Sequence, residues 1–318
     1  MDKNKKIYLA GHTGLAGSAI LRHLRNKGCR NVIVRTRQQL DLMSQHDTTS
    51  FLKQHRPQVV ILAAAKVGGI NANRTQPATF IGENLIIQDN VINGAYKAGV
   101  PSLIFLGSSC IYPRDCAQPI KEEYLLTGPL ESTNRPYAIS KIAGLELCWA
   151  YNRQFGTRYI SLMPTNLYGY GDNYDLENSH VLPALIRKVH EAKVAGDHSL
   201  KVWGTGTAKR EFLFADDFAR AVILLMEQLV EGRLDLFNDS SPPIMNVGSG
   251  EEVTICELLQ IICETIGYKG DIAWDSEKPD GTPRKLLDSQ LLFSHGWLPE
   301  IPLATGIELS YREYLTKL

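Results

Sequence analysis

The chain has 318 residues, 44% of them hydrophobic, enough to bury one large core or two interlocked ones, so bulk disorder is excluded. Its 34 basic and 34 acidic residues cancel, which argues against a broad nucleic-acid or membrane surface and leaves any anionic ligand to a few local cations. Six scattered cysteines (Cys29, Cys110, Cys116, Cys148, Cys256, Cys263) form no C-x-x-C pair and read as reduced thiols of a cytoplasmic protein, with no metal site.

Residues 1–6 are polar and run straight into a strand, so no signal peptide is expected. No apolar run approaches the roughly 20 residues a membrane helix needs. Residues 6–10 predict a buried strand, followed by Gly11-His12-Thr13-Gly14-Leu15-Ala16-Gly17 and a helix over about 18–27. A glycine turn between a strand and a helix start lets the backbone approach a pyrophosphate, whose charge the helix amino terminus favours. The spacing is G-x-x-G-x-x-G rather than G-x-G-x-x-G, and its weight comes from standing at the first turn of a βαβ unit.

Residues 31–34 predict the second strand. An NAD-binding unit would carry Asp or Glu at its end for the ribose 2′-hydroxyl. Arg35-Thr36-Arg37 stands there instead, and a guanidinium suits a 2′-phosphate, so NADP(H) is the expected cofactor. The unbroken apolar run 59–65 predicts a central parallel strand, with the loop 66–70 at its carboxyl end, where open α/β sheets bind ligands. A helix over about 78–98 and a strand over 103–106 follow, the strand ending in Gly107-Ser108-Ser109-Cys110-Ile111-Tyr112-Pro113. The Ser108 hydroxyl could bond a substrate oxygen or simply cap a turn.

Tyr137-Ala138-Ile139-Ser140-Lys141 opens a predicted helix over about 137–155 after a loop rich in breakers. Positions four apart share a helix face, so the phenol and the ammonium can point into one pocket. A cation beside a phenol is expected to lower its pKa and make Tyr137 useful as an acid or base. A strand over 159–163 follows, then Pro164-Thr165-Asn166-Leu167-Tyr168-Gly169 and a polar loop over 172–179. A helix starts at His180 and runs through Lys188, and 202–206 reads as a short strand and turn. The stretch 210–217 is expected to enter a helix reaching about residue 231, and 244–247 is a short strand. Residues 278–285 read as a turn with basic side chains.

Taken together these elements resemble the extended short-chain dehydrogenase/reductases that act on nucleotide sugars. Gly11 to Gly17, Ser108, Tyr137, Lys141, Asn166 and the stretch 210–217 stand in that family's order along nearly the whole chain. Four further stretches resemble the branch that epimerises and reduces GDP-4-dehydro-6-deoxy-D-mannose: 63–70 (AAAKVGGI), 107–113 (GSSCIYP), Asn178-Ser179-His180-Val181, and 278–285. The resemblance implies an α/β fold, a Rossmann-type doubly wound parallel sheet with a smaller mixed α/β substrate-binding domain. Residues 1–168 and about 212–247 would form the NADP-binding domain, and about 169–211 and 248–318 the substrate-binding domain.

It also implies roles. Ser108 and Tyr137 would contact the oxygen at C4, and Lys141 would hold the nicotinamide ribose and tune Tyr137. Cys110 and His180 would be base and acid for inversion at C3 and C5, since a thiol and an imidazole both exchange protons near neutrality. Read alone, Cys110 is more readily a buried thiol, and His180 a packed helix-start histidine; the resemblance reverses that preference. The cofactor would lie along the 11–17 turn, Arg37, Asp41, Leu42, Leu106, Gly107, Ser108, Ser109, Lys141, Pro164, Thr165, Asn166, Leu167 and His180. Lys188, Trp203, Arg210, Asp280 and Lys285 would meet the GDP-sugar. Relatives pair as homodimers through the helices that correspond to 78–98 and 137–155. A 4-epimerase or 4,6-dehydratase with tightly held NAD is the competing enzyme reading, opposed by Arg37 and Cys110. A non-enzymatic dinucleotide sensor is opposed by the intact Ser108, Tyr137 and Lys141 set.

Overall fold

Four apolar runs make the middle of the protein: β1 (Ile7–Ala10), β3 (Val59–Leu62), β4 (Ser102–Leu106) and β5 (Arg158–Pro164), in which all but Arg158 are buried. With β2 (Val32–Arg35) on one edge and β9 (Ile244–Val247) on the other they form one parallel six-stranded sheet, order β2-β1-β3-β4-β5-β9. The computed structural model of the protein describes residues 3–176, 179–277 and 282–318. Side chains alternate across the sheet, so each strand feeds two cores. Ile7, Leu9, Val59, Ile61 and Ile104 pack under α1 (Leu15–Asn26) and α7 (Ala215–Val230). Tyr8, Val60, Leu62, Leu103 and Phe105 pack under α2 (Gln45–His55), α4 (Pro77–Lys97) and α5 (Arg135–Phe155). Each fully buried Val, Leu, Ile or Phe stabilises by about 1.5–3 kcal/mol, which is why these strands are legible as unbroken apolar runs. The short helix α3 (Ile70–Thr75) leads into α4.

After β5 the chain builds a second assembly. β6 (Asn166–Tyr168), β8 (Lys209–Phe214), β10 (Glu252–Thr254) and β12 (Arg284–Lys285) make a small mixed sheet around β8. β7 (Ser199–Trp203) and β11 (Asp271–Asp275) pair in parallel beside it. α6 (Val181–Ala195), α8 (Ile255–Ile266) and α10 (Leu303–Leu315) enclose a third core containing Tyr168, Leu185, Phe212, Phe214 and Ile262, while α9 (Gln290–Ser294) lies against β9. No helix among the described residues is long and apolar enough to cross a membrane.

Several boundaries move. α1 begins at Leu15 rather than 18, with Gly14 as its N-cap. α5 begins at Arg135, because Pro136 sits in the first turn, where its missing N–H costs nothing. The run 59–65 leaves the sheet at Leu62. The largest difference is at 210–217: Lys209–Phe214 is a strand and the helix waits until Ala215. Phe212, Leu213 and Phe214 are buried from both sides there, and that tertiary demand decides the conformation.

Candidate active site

The order β2-β1-β3 reverses direction at β1, and the carboxyl ends of β1, β3, β4 and β5 open on one cleft. At the end of β1, Gly11 has φ +86°, and a Cβ there would lie 2.6 Å from the backbone nitrogen of Ala64. A Cβ on Gly17 would overlap the Gly11 carbonyl oxygen. Only glycine fits either position. The N-cap Gly14 offers no side-chain bond to the first turn of α1, and the buried His12 Nδ1 has no partner. Thr13 and Gly14 are exposed, while Leu15 and Ala16 pack on the core below. The turn therefore fits a pyrophosphate: open amides at a helix amino terminus, close backbone approach and an unpaired buried polar atom.

The two arginines after β2 differ. Arg35 donates through Nη1 to the Val34 carbonyl at 2.8 Å and its guanidinium lies 5.4 Å from the centre of the Phe51 ring. Arg37 is exposed at the strand end. Asp41 turns back on its own loop, accepting from Met43 N at 3.0 Å, and the Leu42 carbonyl accepts from Asn90 Nδ2 at 2.8 Å.

At the end of β4, Leu106, Gly107 and Ser109 are buried, and Ser108 caps a 3-10 turn over Ser109–Ile111, its Oγ accepting from Cys110 N at 3.3 Å. The capping alternative is thus realised. Lys141 is 3% exposed; its Nζ donates to the Leu106 carbonyl at 2.7 Å and lies 4.7 Å from the Phe105 ring centre and 5.7 Å from that of Tyr137. Tyr137, half-buried, meets Phe80 edge-on at 6.4 Å. Helical spacing does bring phenol and ammonium to one face. The expected lowering of the Tyr137 pKa is corrected: burial, then the nearby Cys110, push it well above the ordinary tyrosine value. Burial also pushes Lys141 down to about 8, with Cys110 opposing. Desolvation outweighs the pairwise attraction, so Tyr137 is a neutral phenol, a proton donor.

Burial pushes the Cys110 thiol above its ordinary value, outweighing the opposing pull of Lys285, the Ser108 hydroxyl and Lys141. His180 is the N-cap of α6, without a side-chain cap bond. The residue is exposed overall, yet the surrounding protein desolvates its ring; that desolvation, then the Lys285 charge, lower its pKa. Lys285, half-buried on β12, thus stands within electrostatic reach of both groups, which come from widely separated stretches.

Pro164 ends β5 and Leu167 packs on the core. Thr165 Oγ1 and Asn166 Nδ2 both donate to the Glu211 carbonyl, at 3.1 and 2.8 Å. Farther out, Lys188 Nζ lies 5.2 Å from the Trp203 ring centre, a pair of their own, and desolvation lowers Lys188. Arg210 on β8 donates through Nη1 to the Lys209 carbonyl at 2.7 Å and stands opposite Lys285 in the β8–β12 register. Asn178 and Asp280 lie outside the described residues.

Sequence reading missed Glu211. Its carboxylate is wholly buried and accepts from Gly250 N at 2.8 Å and Leu287 N at 3.1 Å. One side chain thus ties the loop after β9 to the segment that carries Lys285. The signal was an acid beside three apolar residues in Lys-Arg-Glu-Phe-Leu-Phe: once this is a strand, Arg210 and Glu211 must face opposite ways.

The NAD dependent epimerase/dehydratase family model matches residues 7–248. The GDP-L-fucose synthase of Sinorhizobium fredii (strain NBRC 101917 / NGR234) is 52% identical over 314 residues, covering 99% of this chain and 96% of that protein. GDP-L-fucose synthase 1 of Arabidopsis thaliana is 54% identical, covering 99% and 94%. Among solved structures, the GDP-mannoheptose C4 reductase of Campylobacter jejuni with NADP bound superposes with a TM-score of 0.90 at 37% identity, covering 99% of both chains. The chain belongs to the NAD dependent epimerase/dehydratase family, within its GDP-L-fucose synthase group.

Proposed function

We propose that the protein converts GDP-4-dehydro-6-deoxy-D-mannose to GDP-L-fucose, inverting C3 and C5 and then reducing C4 with NADPH. Full-length relatives of that name at 52% and 54% identity support the substrate. The observation that carries the reaction is the gathering of Cys110, Lys285 and His180 beside Ser108, Tyr137 and Lys141 in one cleft.

The C4 ketone acidifies the protons on C3 and C5. Cys110, as thiolate, removes such a proton and becomes a thiol. Ser108 and the neutral Tyr137 donate to the oxygen that becomes enolate, already oriented and partly desolvated. Protonated His180 delivers a proton to the opposite face of the same carbon and becomes neutral, so the centre is inverted and the ketone restored. Exchange with water resets both groups before the second centre. NADPH, when bound, supplies the hydride for C4. Tyr137 then gives its proton to the C4 oxygen, and the buried Lys141 favours the phenolate left behind.

The turn Gly11–Gly17 with the amino terminus of α1 holds the pyrophosphate, and Arg37 the 2′-phosphate. Asp41, Leu42, Ser109, Pro164, Thr165 and Leu167 line the cofactor, and Lys141 holds its ribose. Lys188, Trp203, Arg210 and Asp280 take the GDP-sugar. The cofactor domain is residues 1–168 and about 212–247 and the substrate domain about 169–211 and 248–318, with β8 shared between them. Exposed Leu85 and Ile86 on α4 and Ile139 and Phe155 on α5 support pairing of two copies through these helices. Six free thiols support a reducing, cytoplasmic location.

The test is conversion of the GDP-sugar with NADPH in heavy water. The unmodified protein should take deuterium into C3 and C5 and yield the L-fuco product. Cys110→Ser should lose deuterium uptake yet keep slow reduction of the uninverted ketone. His180→Asn should allow partial exchange without full inversion. Reduction without any deuterium at C3 or C5 in the unmodified protein would make it a C4 reductase alone and overturn the epimerase half.

A further inference from the structure

The segment around β12 is a strap that crosses from the small sheet to the chain beyond the Cys110 turn. Lys209 N donates to the Pro283 carbonyl at 2.9 Å and Leu286 N to Gln118 Oε1 at 2.9 Å. Ile120 N donates to the Leu286 carbonyl at 2.7 Å and Asp288 N to the Ile120 carbonyl at 2.8 Å. One wholly buried side chain stands where the strap, the turn and the large sheet meet: Asn246 on β9. Its Nδ2 donates to the Ile120 carbonyl at 2.9 Å and to the Asp288 carbonyl at 3.1 Å. Its backbone N donates to Glu122 Oε1 at 2.9 Å, and its Oδ1 accepts from the Tyr112 hydroxyl at 2.6 Å. Both amide protons and the amide oxygen are thus engaged.

The bond from Tyr112 fixes something the others do not. Tyr112 is buried and stands two residues after Cys110, itself buried. The near end of their turn is held by Ser108, whose Oγ accepts from Cys110 N. The far end runs into Pro113, which has no N–H to give. The Tyr112 side chain supplies a tie there instead, reaching from the end of β4 past β5 to β9. Such a buried bond is a firm strut, because losing either partner leaves the other desolvated without compensation. We propose that Tyr112 is a positioning residue for the inversion step: through its bond to Asn246 it holds the Cys110 turn, and with it the sulfur, in place. The inference rests on the reading of Cys110 as the base. It adds a residue whose hydroxyl points into the core and acts on the substrate only through the turn it anchors.

A second buried phenol supplies the comparison. Tyr159 at the start of β5 is wholly buried, and its hydroxyl donates to the Val100 carbonyl at 3.0 Å, at the opposite end of the sheet from Cys110. Tyr112→Phe and Tyr159→Phe each delete one buried oxygen, so a purely structural role predicts like effects for both. The full-length protein without substrate is treated with iodoacetamide at about pH 8, where thiolate is the reacting form, and Cys110 is followed by peptide mass spectrometry. Releasing the turn should open the thiol, so Tyr112→Phe should speed Cys110 alkylation about tenfold and Tyr159→Phe less than about twofold. Exposed Cys256 on α8 should not change in either. With the GDP-sugar and NADPH in heavy water, Tyr112→Phe should take up deuterium at C3 and C5 about tenfold more slowly, with the KM for NADPH within about twofold. Tyr159→Phe should keep both. If Tyr112→Phe does not fold, Asn246→Leu, which removes the acceptor instead, is read in the same way. Unmoved alkylation of Cys110 in the folded variant, or equal acceleration in Tyr159→Phe, overturns the inference. Because alkylation needs no substrate, that failure leaves the GDP-sugar conversion standing. Absence of deuterium uptake by the unmodified enzyme would instead defeat the functional reading without altering the alkylation rates.

Discussion

The two sides of the cleft are built differently. The side proposed for reduction comes from neighbouring stretches: Ser108 closes β4, and Tyr137 and Lys141 lie one helical turn apart on α5, whose ammonium is bonded to Leu106 two residues before Ser108. The side proposed for inversion takes Cys110 from the turn after β4, His180 from the start of α6 and Lys285 from the strap at β12. The first side depends on helix geometry, which four residues suffice to specify. The second depends on long-range pairing, and Glu211 is the joint on which that pairing turns. Chemistry and stability should therefore separate on the first side and travel together on the second.

The largest expected effect tests the first half of this contrast. The Tyr137 hydroxyl makes no hydrogen bond among the described residues, so Tyr137→Phe removes a proton donor and almost no packing. Reduction at C4 should fall by about 10²–10⁴-fold, the usual worth of general acid–base catalysis. The melting temperature should stay within about a degree, since changes without a packing or pairing loss are close to neutral. Single-turnover reduction and a thermal melt measure both. A large fall in melting temperature would erase the contrast.

Glu211→Gln probes the other side. The amide keeps one oxygen, and its NH2 then faces a backbone N–H of Gly250 or Leu287. A buried donor left without an acceptor costs about 1–3 kcal/mol, equivalent to several degrees of Tm in a chain of this size. Deuterium uptake at C3 and C5 should decline more than hydride transfer, because the strap carrying Lys285 loosens while α5 is untouched. Equal losses in the two half-reactions would show that Glu211 serves the whole fold rather than this side.

The smallest effect lies in the loop that leads to His180. Burial holds the Asp172 carboxyl up at about 7 against an ordinary 3.8, with Asn173 N and Lys317 opposing and Glu313 adding to the rise. Asp172 Oδ2 and Glu313 Oε2 are both buried without partners. Between those two pH values the folded protein keeps a proton that the unfolded chain has released. Stability therefore falls as pH rises through that window and stays lower above it. Asp172→Asn keeps the acceptor for Asn173 N and gives Glu313 a donor. A gain of about 1 kcal/mol near pH 8, roughly 2 °C in Tm and vanishing near pH 4, is expected. A gain independent of pH would point to packing instead.

How much of this was legible follows from the same contrast. The glycine turn, the apolar parallel strands and the Tyr137–Lys141 spacing declare themselves over a few residues. β6, β8 and β12 do not: they are 3, 6 and 2 residues long, too short for periodicity, and exist because of partners far along the chain. Glu211 was hidden for that reason. The direction of the Tyr137 shift was misread because spacing reveals a neighbouring charge but not the water that is missing around both groups. Arg35 and Arg37 look alike in the sequence; only Phe51 and the Val34 carbonyl, which occupy Arg35, separate them.

The strap has a consequence for the order in which the protein comes into being. Ile120 joins Leu287, and that bridge cannot close until nearly the whole chain has been synthesised. The sheet strands up to β5, with α5 across them, are complete by about the midpoint of translation and can dock as the ribosome continues, since chains fold from the amino end as they emerge. The Lys285 segment arrives about 120 residues after the end of β5 and closes a large loop, the slow kind of contact. A nascent chain thus acquires the glycine turn and the Tyr137–Lys141 face first. The tie between the loop after β4 and the small sheet closes only near the end, when the sheet strands it joins are already in place.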